Sequence, residues 1–238
     1  MTDSKFRFKQ FEVNQSHCAM KIGTDSVLLG AWMRLPQQGN ILDIGTGTGI
    51  LSLMAAQRTT NTHITALEID SDAAQQASEN IANSPWHDRI SVSNQDFTQW
   101  AVSCKEKYES IISNPPFFEQ SLLPPDTARC IARHTETLTY AQIFDLSRKL
   151  IKDEGYLSLV LPANLYERTN ETAQLYGWGI TRLTYIRTTA HKNAKRVLCE
   201  WQQHHIAPCT PTTLTIHDIA NKYSQEYIEL TRDFYLHL

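Results

Sequence analysis

The stretch ILDIGTGTGI, from Ile41 to Ile50, decides the fold of this 238-residue chain. Its apolar first half predicts a buried strand, and an apolar helical pattern begins where the stretch ends. Between them, Gly45, Gly47 and Gly49 permit a tight turn and let the backbone approach a ligand closely. The stretch therefore predicts a strand, a glycine-rich loop and a helix at the ligand-binding edge of a parallel sheet.

Short apolar runs alternate with helical patterns through the middle of the chain. This alternation is typical of βαβ units, which give an α/β fold with a mostly parallel sheet and helices on both faces. The predicted strands are 40–44, 63–68, 90–93, 108–113 and 156–161, and the predicted helices are 50–57, 72–82 and 140–151. A further helix is expected from Pro162 to about Tyr176. Two later β-rich runs, 180–188 and 196–203, predict a C-terminal antiparallel hairpin.

The ends of the chain extend this core. Thr24 and Asp25 are predicted to cap a helix that runs to Trp32. The tail has a β-prone run at 214–216 and a final helix at 225–236. We expect one domain over residues 1–238, with an N-terminal extension and capping helix at 1–38, a core at 39–205 and a C-terminal extension at 206–238.

The composition is that of a globular protein. Hydrophobic residues make up 41% and charged residues 20%, which excludes disordered and membrane-embedded classes. The five cysteines are odd in number and never form a C-x-x-C pair, so we expect no disulfide framework and no metal site. Without a signal-peptide pattern or a long apolar span, the protein is expected in the cytoplasm.

Three carboxylates near strand ends indicate what the glycine loop binds. Glu68 ends the second strand, where it can accept hydrogen bonds from both ribose hydroxyls, and Asp96 follows the third strand, where it could reach an adenine amino group. Asp43 precedes the loop and would repel a pyrophosphate. The G-x-G-x-G spacing also differs from the G-x-G-x-x-G of dinucleotide sites. The pattern favours S-adenosylmethionine, which carries a cationic amino group and a sulfonium.

The tetrapeptide NPPF, residues 114–117, follows the fourth strand and carries the predicted chemistry. An exocyclic amine on an aromatic ring is a poor nucleophile, because its lone pair is delocalised. The side-chain oxygen of Asn114 and the carbonyl of Pro115 can accept its two hydrogens and turn the lone pair toward a methyl donor. Phe117 offers a ring on which the base can stack. A base in a duplex cannot reach such a pocket, so the target nucleotide is expected to be unstacked.

These features together resemble the class I methyltransferase fold, in the subgroup that methylates amino nitrogens. The resemblance is carried by DIGTGTG at 43–49, Glu68, Asp96 and NPPF at 114–117. With KIGTDSVLLGAW at 21–32 and with Arg129, Arg133 and His134, nearly the whole chain is similar to the bacterial transfer RNA1(Val) adenine-N6 methyltransferase family.

That resemblance implies a function and a site. It implies that S-adenosylmethionine donates a methyl group to adenine 37, beside the anticodon of tRNA1(Val). It also implies a seven-stranded sheet whose last strands form the hairpin, and it assigns Thr24 and Asp25 to closing the cofactor pocket, which the three glycines, Asp43, Glu68, Asp96 and Asn114 line.

An RNA substrate needs basic surface, although the net charge is −3. No acidic residue lies between Thr172 and Cys199. That window contains the candidate RNA contacts Arg187, Lys192, Lys195 and Arg196, and Arg133 and His134 are candidates after the NPPF loop. A second candidate patch alternates basic and aromatic residues over 5–11. No obligate protein partner is inferred.

Two alternatives remain open from the residues alone. The same pocket could methylate guanine N2 in ribosomal RNA or a glutamine amide in a protein, since each presents a planar nitrogen. The chain could also be a non-catalytic module that binds a nucleoside or RNA. The intact Asp43 and Asn114 argue against this last hypothesis.

Overall fold

The computed structural model describes residues 5–16, 21–115 and 138–237. Its strands are β1 (Lys5–Arg7), β2 (Glu12–Asn14), β3 (Gln38–Ile44), β4 (Asn61–Glu68), β5 (Ile90–Asn94), β6 (Tyr108–Ser113), β7 (Ile151–Pro162), β8 (Trp178–Arg187), β9 (Arg196–Gln203) and β10 (Thr212–Thr215). Its helices are α1 (Thr24–Trp32), α2 (Ile50–Arg58), α3 (Ser71–Ala82), α4 (Phe97–Ser103), α5 (Tyr140–Leu150), α6 (Tyr166–Leu175) and α7 (Gln225–Thr231), with a 3-10 turn at Ala163–Leu165.

One mixed sheet organises the described residues, in the order β10-β8-β9-β7-β6-β3-β4-β5. Strands β3 to β7 are mutually parallel, and β9 runs antiparallel to both β7 and β8. The predicted Rossmann-like α/β fold and the C-terminal antiparallel pair are therefore confirmed. Because β3 to β7 run the same way, the loops that follow them all open at one edge of the sheet.

The sheet has one strand more than the seven expected. Strand β10, which overlaps the predicted β-prone run at 214–216, pairs in parallel with the outer side of β8. An unpaired sheet edge attracts other strands, so β10 shields most of the second half of β8 from such pairing. Strands β1 and β2 form a separate antiparallel hairpin.

Helix α4 is absent from the sequence prediction, and the capping of α1 and the end of α7 differ from it. The side chain of Asp96 accepts a hydrogen bond from the backbone N–H of Thr98 and so starts α4. The predicted capping of α1 by Thr24 and Asp25 is wrong, because Gly23 is the N-cap residue and no side chain caps it. Helix α7 ends at Thr231, short of the predicted residue 236.

Two apolar layers cover the faces of the sheet. One contains α1, α2 and part of α3, and the other contains α4, α5 and α6. Both chain ends join the first layer, since Phe8 stacks on Phe11 and packs near Tyr235. The aromatic residues of the N-terminal candidate patch therefore serve packing, and Lys5 and Arg7 both pair with Glu12.

The division of the chain into a core and two extensions stays a prediction. Among the described residues, no helix combines the length and the apolar content that crossing a bilayer requires.

We expect Asp70→Ala to lower the free energy of unfolding by about 1 kcal/mol, because it removes a helix cap. Asp70 Oδ1 accepts a hydrogen bond of 2.8 Å from the backbone N–H of Ala73 and so starts α3, directly after Glu68. Chemical denaturation measures the loss. The exposed Asp72, in the same first turn but without a cap bond, provides the control Asp72→Ala. Equal losses in the two variants would contradict the capping role.

Candidate active site

The register of β3, β4 and β6 brings the predicted site together. Ile44, the last residue of β3, lies opposite Leu67 of β4 and Ser113 of β6. The hydroxyl of Ser113 donates a hydrogen bond of 2.6 Å to the carbonyl oxygen of Ile44 and so ties the two strand ends. The glycine loop, Glu68 and Asn114 consequently meet at the carboxyl edge of the sheet.

The three glycines of the loop have two different roles. All have positive φ, at 68° for Gly45, 57° for Gly47 and 83° for Gly49, which favours glycine. A Cβ atom at Gly45 or Gly47 would meet no described residue within 4 Å, so the described part of the chain leaves space beside the loop there. At Gly49 it would meet Ala77 and Ile81 of α3 at 3.5–3.7 Å. Gly45 and Gly47 therefore leave room for a ligand beside the loop, whereas Gly49 is the left-handed N-cap residue of α2 and would have space for a side chain.

Asp43 is a fully buried carboxylate with two unequal oxygens. Its Oδ2 accepts hydrogen bonds from the hydroxyls of Thr46, at 2.6 Å, and Ser52, at 2.7 Å. Its Oδ1 is buried and has no partner among the described residues. An unpartnered buried carboxylate oxygen is costly, and a ligand with a cationic N–H group would satisfy it.

Burial raises the pKa of Asp43 most, the hydrogen bonds from Thr46 and Ser52 lower it, and the charge of Glu68 raises it, so that the net pKa rises from 3.8 to about 6. Because the folded chain holds this proton more tightly than the unfolded chain, the group's contribution to stability is full below pH 3.8 and declines as the pH rises to about 6. At neutral pH the ionised Asp43 therefore destabilises the ligand-free chain.

Glu68 closes the other side of the loop. Its Oε2 accepts a hydrogen bond of 2.8 Å from the backbone N–H of Gly47, and its Oε1 accepts one of 3.0 Å from that of Asp70. A carboxylate has about four acceptor sites, so two remain for ribose hydroxyls. The next residue, Ile69, is 59% exposed and offers an apolar surface beside this carboxylate. Sequence reasoning missed this apolar surface.

Asp96 has a structural role in addition to the predicted one. Its Oδ1 accepts hydrogen bonds of 2.7 Å from both the backbone N–H and the hydroxyl of Thr98. The residue also lines an open pocket of about 430 Å³ together with Trp100. Its contact with an adenine stays a prediction.

The amide of Asn114 is held at one end and unpartnered at the other. Its Nδ2 donates a hydrogen bond of 2.9 Å to the hydroxyl of Ser26 in α1. Its Oδ1 is buried and accepts no hydrogen bond from a described residue. Pro115 is buried beside it, and Phe117 lies outside the described residues. Sequence reasoning missed Ser26, because nothing local marks a contact across 88 positions.

The start of α1 is anchored to β9. Asp25 Oδ2 accepts a hydrogen bond of 2.7 Å from Arg196 Nε in a half-buried ion pair. Thr24 is exposed. Arg196 therefore has a contact within the protein, and its predicted contact with RNA stays a prediction.

The basic candidates of β8, β9 and their connecting loop lie at the same edge of the sheet as the glycine loop. Arg196 is paired with Pro162, the last residue of β7, and with Ile186 near the end of β8. Lys192 and Lys195 are exposed in the loop, whereas Arg187 donates hydrogen bonds to Thr215 and Ala190. The candidates Arg133 and His134 lie outside the described residues.

Comparison with known proteins fits this geometry. Residues 12–174 match the family described as methyltransferase small domain. Over the full length of both chains, the sequence is 44% identical to a protein of Bacteroides thetaiotaomicron named tRNA1(Val) (adenine(37)-N6)-methyltransferase. This chain belongs to that methyltransferase family. A Phocaeicola vulgatus protein of the same name is 43% identical, again over all of both chains.

A solved structure supports the fold of this methyltransferase. A predicted O-methyltransferase from Agrobacterium tumefaciens superposes with a TM-score of 0.71 at 19% identity, covering 88% of this chain and 96% of the other. The methyl donor of class I methyltransferases is S-adenosylmethionine. The unpartnered oxygen of Asp43, the open cradle at Gly45 and Gly47, and the free acceptor sites of Glu68 fit its cationic amino group and its ribose.

We expect the affinity of this methyltransferase for S-adenosylmethionine to fall about tenfold per pH unit below pH 6, because protonation of Asp43 removes the charge that attracts the donor. The predicted midpoint follows from the pKa of about 6. Calorimetric titrations between about pH 5 and pH 7 measure the change. Asp43→Asn should bind weakly with a flat profile, and an unchanged affinity in wild type across this range would refute the assignment.

Proposed function

We propose that this methyltransferase transfers the methyl group of S-adenosylmethionine to the N6 amine of adenine 37 in tRNA1(Val), in the cytoplasm. The names of the two relatives support the substrate. One observation carries the chemistry: the buried Oδ1 of Asn114, at the strand end beside the glycine loop, accepts no hydrogen bond from the residues that the structure describes. A hydrogen-bond acceptor without a donor in such a place suits a ligand that brings N–H groups.

The residues around that oxygen act by orientation. When bound, S-adenosylmethionine supplies an electrophilic methyl group on a positively charged sulfur. Asn114 Oδ1 and the carbonyl oxygen of Pro115 accept the two hydrogens of the amine, so that its lone pair is directed out of the ring plane. The nitrogen would form its bond to the methyl carbon as the carbon–sulfur bond breaks, the sulfur would leave as a neutral thioether, and the surplus proton on nitrogen would leave to water. No general base is required, because the methylated nitrogen is cationic and acidic.

An amide suits this position better than a carboxylate. The neutral side chain of Asn114 provides an acceptor without a third buried charge at the strand ends that already hold Asp43 and Glu68. Phe117 is proposed to stack on the base, which for such contacts contributes about 1–3 kcal/mol.

The RNA is proposed to approach over the loop between β8 and β9. Lys192 and Lys195 are exposed there, at the same edge of the sheet as Asn114. Exposed lysines attract phosphates whatever the sequence of the RNA, so they would position the strand while the pocket selects an unstacked adenine. Arg133 and His134 are proposed to assist, and no protein partner is required.

The product of the wild-type protein and of Asn114→Ala tests the proposal. We expect wild type to form N6-methyladenosine at position 37 of an unmodified tRNA1(Val) transcript. Asn114→Ala should lose about 2–4 kcal/mol of transition-state stabilisation, or about 30- to 900-fold in rate, with its affinity for the donor retained. Labelled methyl transfer followed by nucleoside digestion measures the rate and identifies the product.

The exposed Asn83, which caps the end of α3, gives the matched control Asn83→Ala, expected to be as active as wild type. Methylguanosine or methylated glutamine as the product would replace the proposed acceptor with one of the alternatives. Full activity of Asn114→Ala would remove the assigned role.

We expect Lys192→Gln and Lys195→Gln each to weaken tRNA binding and to lower the slope of log affinity against log salt concentration by up to about 1. Binding isotherms at several salt concentrations measure the slope. Lys105→Gln is the control, since Lys105 is exposed just before β6 begins, at the opposite edge of the sheet. Equal slopes in all three variants would show that the RNA does not bind at the loop between β8 and β9.

A further inference from the structure

The amide of Asn114 can adopt two orientations. Rotating an asparagine amide by half a turn exchanges its oxygen and nitrogen while filling nearly the same space. Only one orientation turns the oxygen toward a bound amine. The other turns an NH₂ group toward the hydrogens of that amine, so donors face donors.

Ser26 is positioned to stabilise the orientation in which the oxygen faces the amine. Its hydroxyl oxygen lies 2.9 Å from Asn114 Nδ2, in the orientation that leaves Oδ1 unpartnered. A hydroxyl can donate as well as accept, so Ser26 can pair with either end of the amide. When a bound amine requires Oδ1, the hydroxyl oxygen of Ser26 accepts from the NH₂ end and so stabilises that orientation. Without this acceptor, the NH₂ end would be buried without a partner, which disfavours that orientation.

The packing of α1 keeps Ser26 in place. Ser26 is only 8% exposed, and the remaining residues of α1 up to Trp32 are buried. The preceding residue, Asp25, is bound to Arg196 at the start of β9. The beginning of α1 is therefore joined to the ends of two strands, through Asp25 to β9 and through Ser26 to the residue after β6.

We propose that Ser26 is a positioning residue, which accepts a hydrogen bond from Asn114 Nδ2 and so aims the oxygen of that side chain at the amine to be methylated. Ser26 does not touch the reacting atoms. The inference rests on the proposed function of Asn114, and it assigns to α1 a part in the methyl transfer as well as in covering the cofactor pocket.

Single-turnover methylation of the tRNA1(Val) transcript by Ser26→Ala tests the proposal. Loss of one net hydrogen bond corresponds to about a 2- to 12-fold lower rate. The affinity for S-adenosylmethionine should not change. Ser26→Thr retains a hydroxyl and should recover most of the rate. Ser147→Ala, which removes a buried hydroxyl without a partner in α5, is the control for a loss of packing.

A double-mutant cycle separates positioning from a general structural effect. In the Asn114→Ala background, Ser26→Ala should cause no further loss, because the side chain that it orients is absent. A merely structural role would lower the rate by the same factor in both backgrounds. Additive losses, a Ser26→Ala rate equal to wild type, or an equal loss in Ser26→Thr would each overturn the proposal.

The wild-type product is determined first, so the two proposals fail in different ways. If wild type methylates another nitrogen, the proposed substrate is wrong, and the same cycle is then measured on that acceptor. If wild type forms N6-methyladenosine and the cycle is additive, only the role of Ser26 is wrong.

Discussion

The parallel pairing of β3 with β6 is the constraint on which the site depends. Because Ile44 lies opposite Ser113, the glycine loop and Asn114 leave the sheet side by side. Neighbouring strands are about 4.8 Å apart, so the sheet itself sets the spacing between the donor cradle and the amine acceptor. A slip of one residue in this pairing would exchange the faces of every side chain in β6. The hydrogen bond from Ser113 to Ile44 opposes such a slip at the point where it matters most.

Most of the fold could be predicted because short apolar runs alternate with helical patterns along the chain. Strand β6 has the same bounds in the sequence and in the structure, since both of its faces are buried and polar residues flank it. Helix α4 could not be predicted in this way. Its residues include Phe97, Trp100 and Val102, which favour strands, and the helix depends on the Asp96 cap and on burial of Phe97. The β-prone run expected at 214–216 overlaps β10, but the parallel pairing of β10 with β8 could not be predicted from so short a run.

The candidate site divides in the same way. Asp43, the glycines and Asn114 could be found because each adjoins a strand that the sequence reveals. The distant residues that contact this region could not be found from the sequence. Ser26 reaches Asn114 across 88 positions and Arg196 reaches Asp25 across 171, and such contacts exist only once the sheet has formed. Local charge patterning identified Arg196 as basic surface, whereas the folded chain uses it to hold α1.

The buried carboxylate of Asp43 couples the stability of the folded chain to the binding of a cation. Its unpartnered oxygen makes the empty protein less stable at neutral pH, and a cation that binds only the folded chain offsets this loss. A cationic ligand that binds only the folded chain beside Asp43 would therefore add most to its stability at neutral pH, where this carboxylate is ionised.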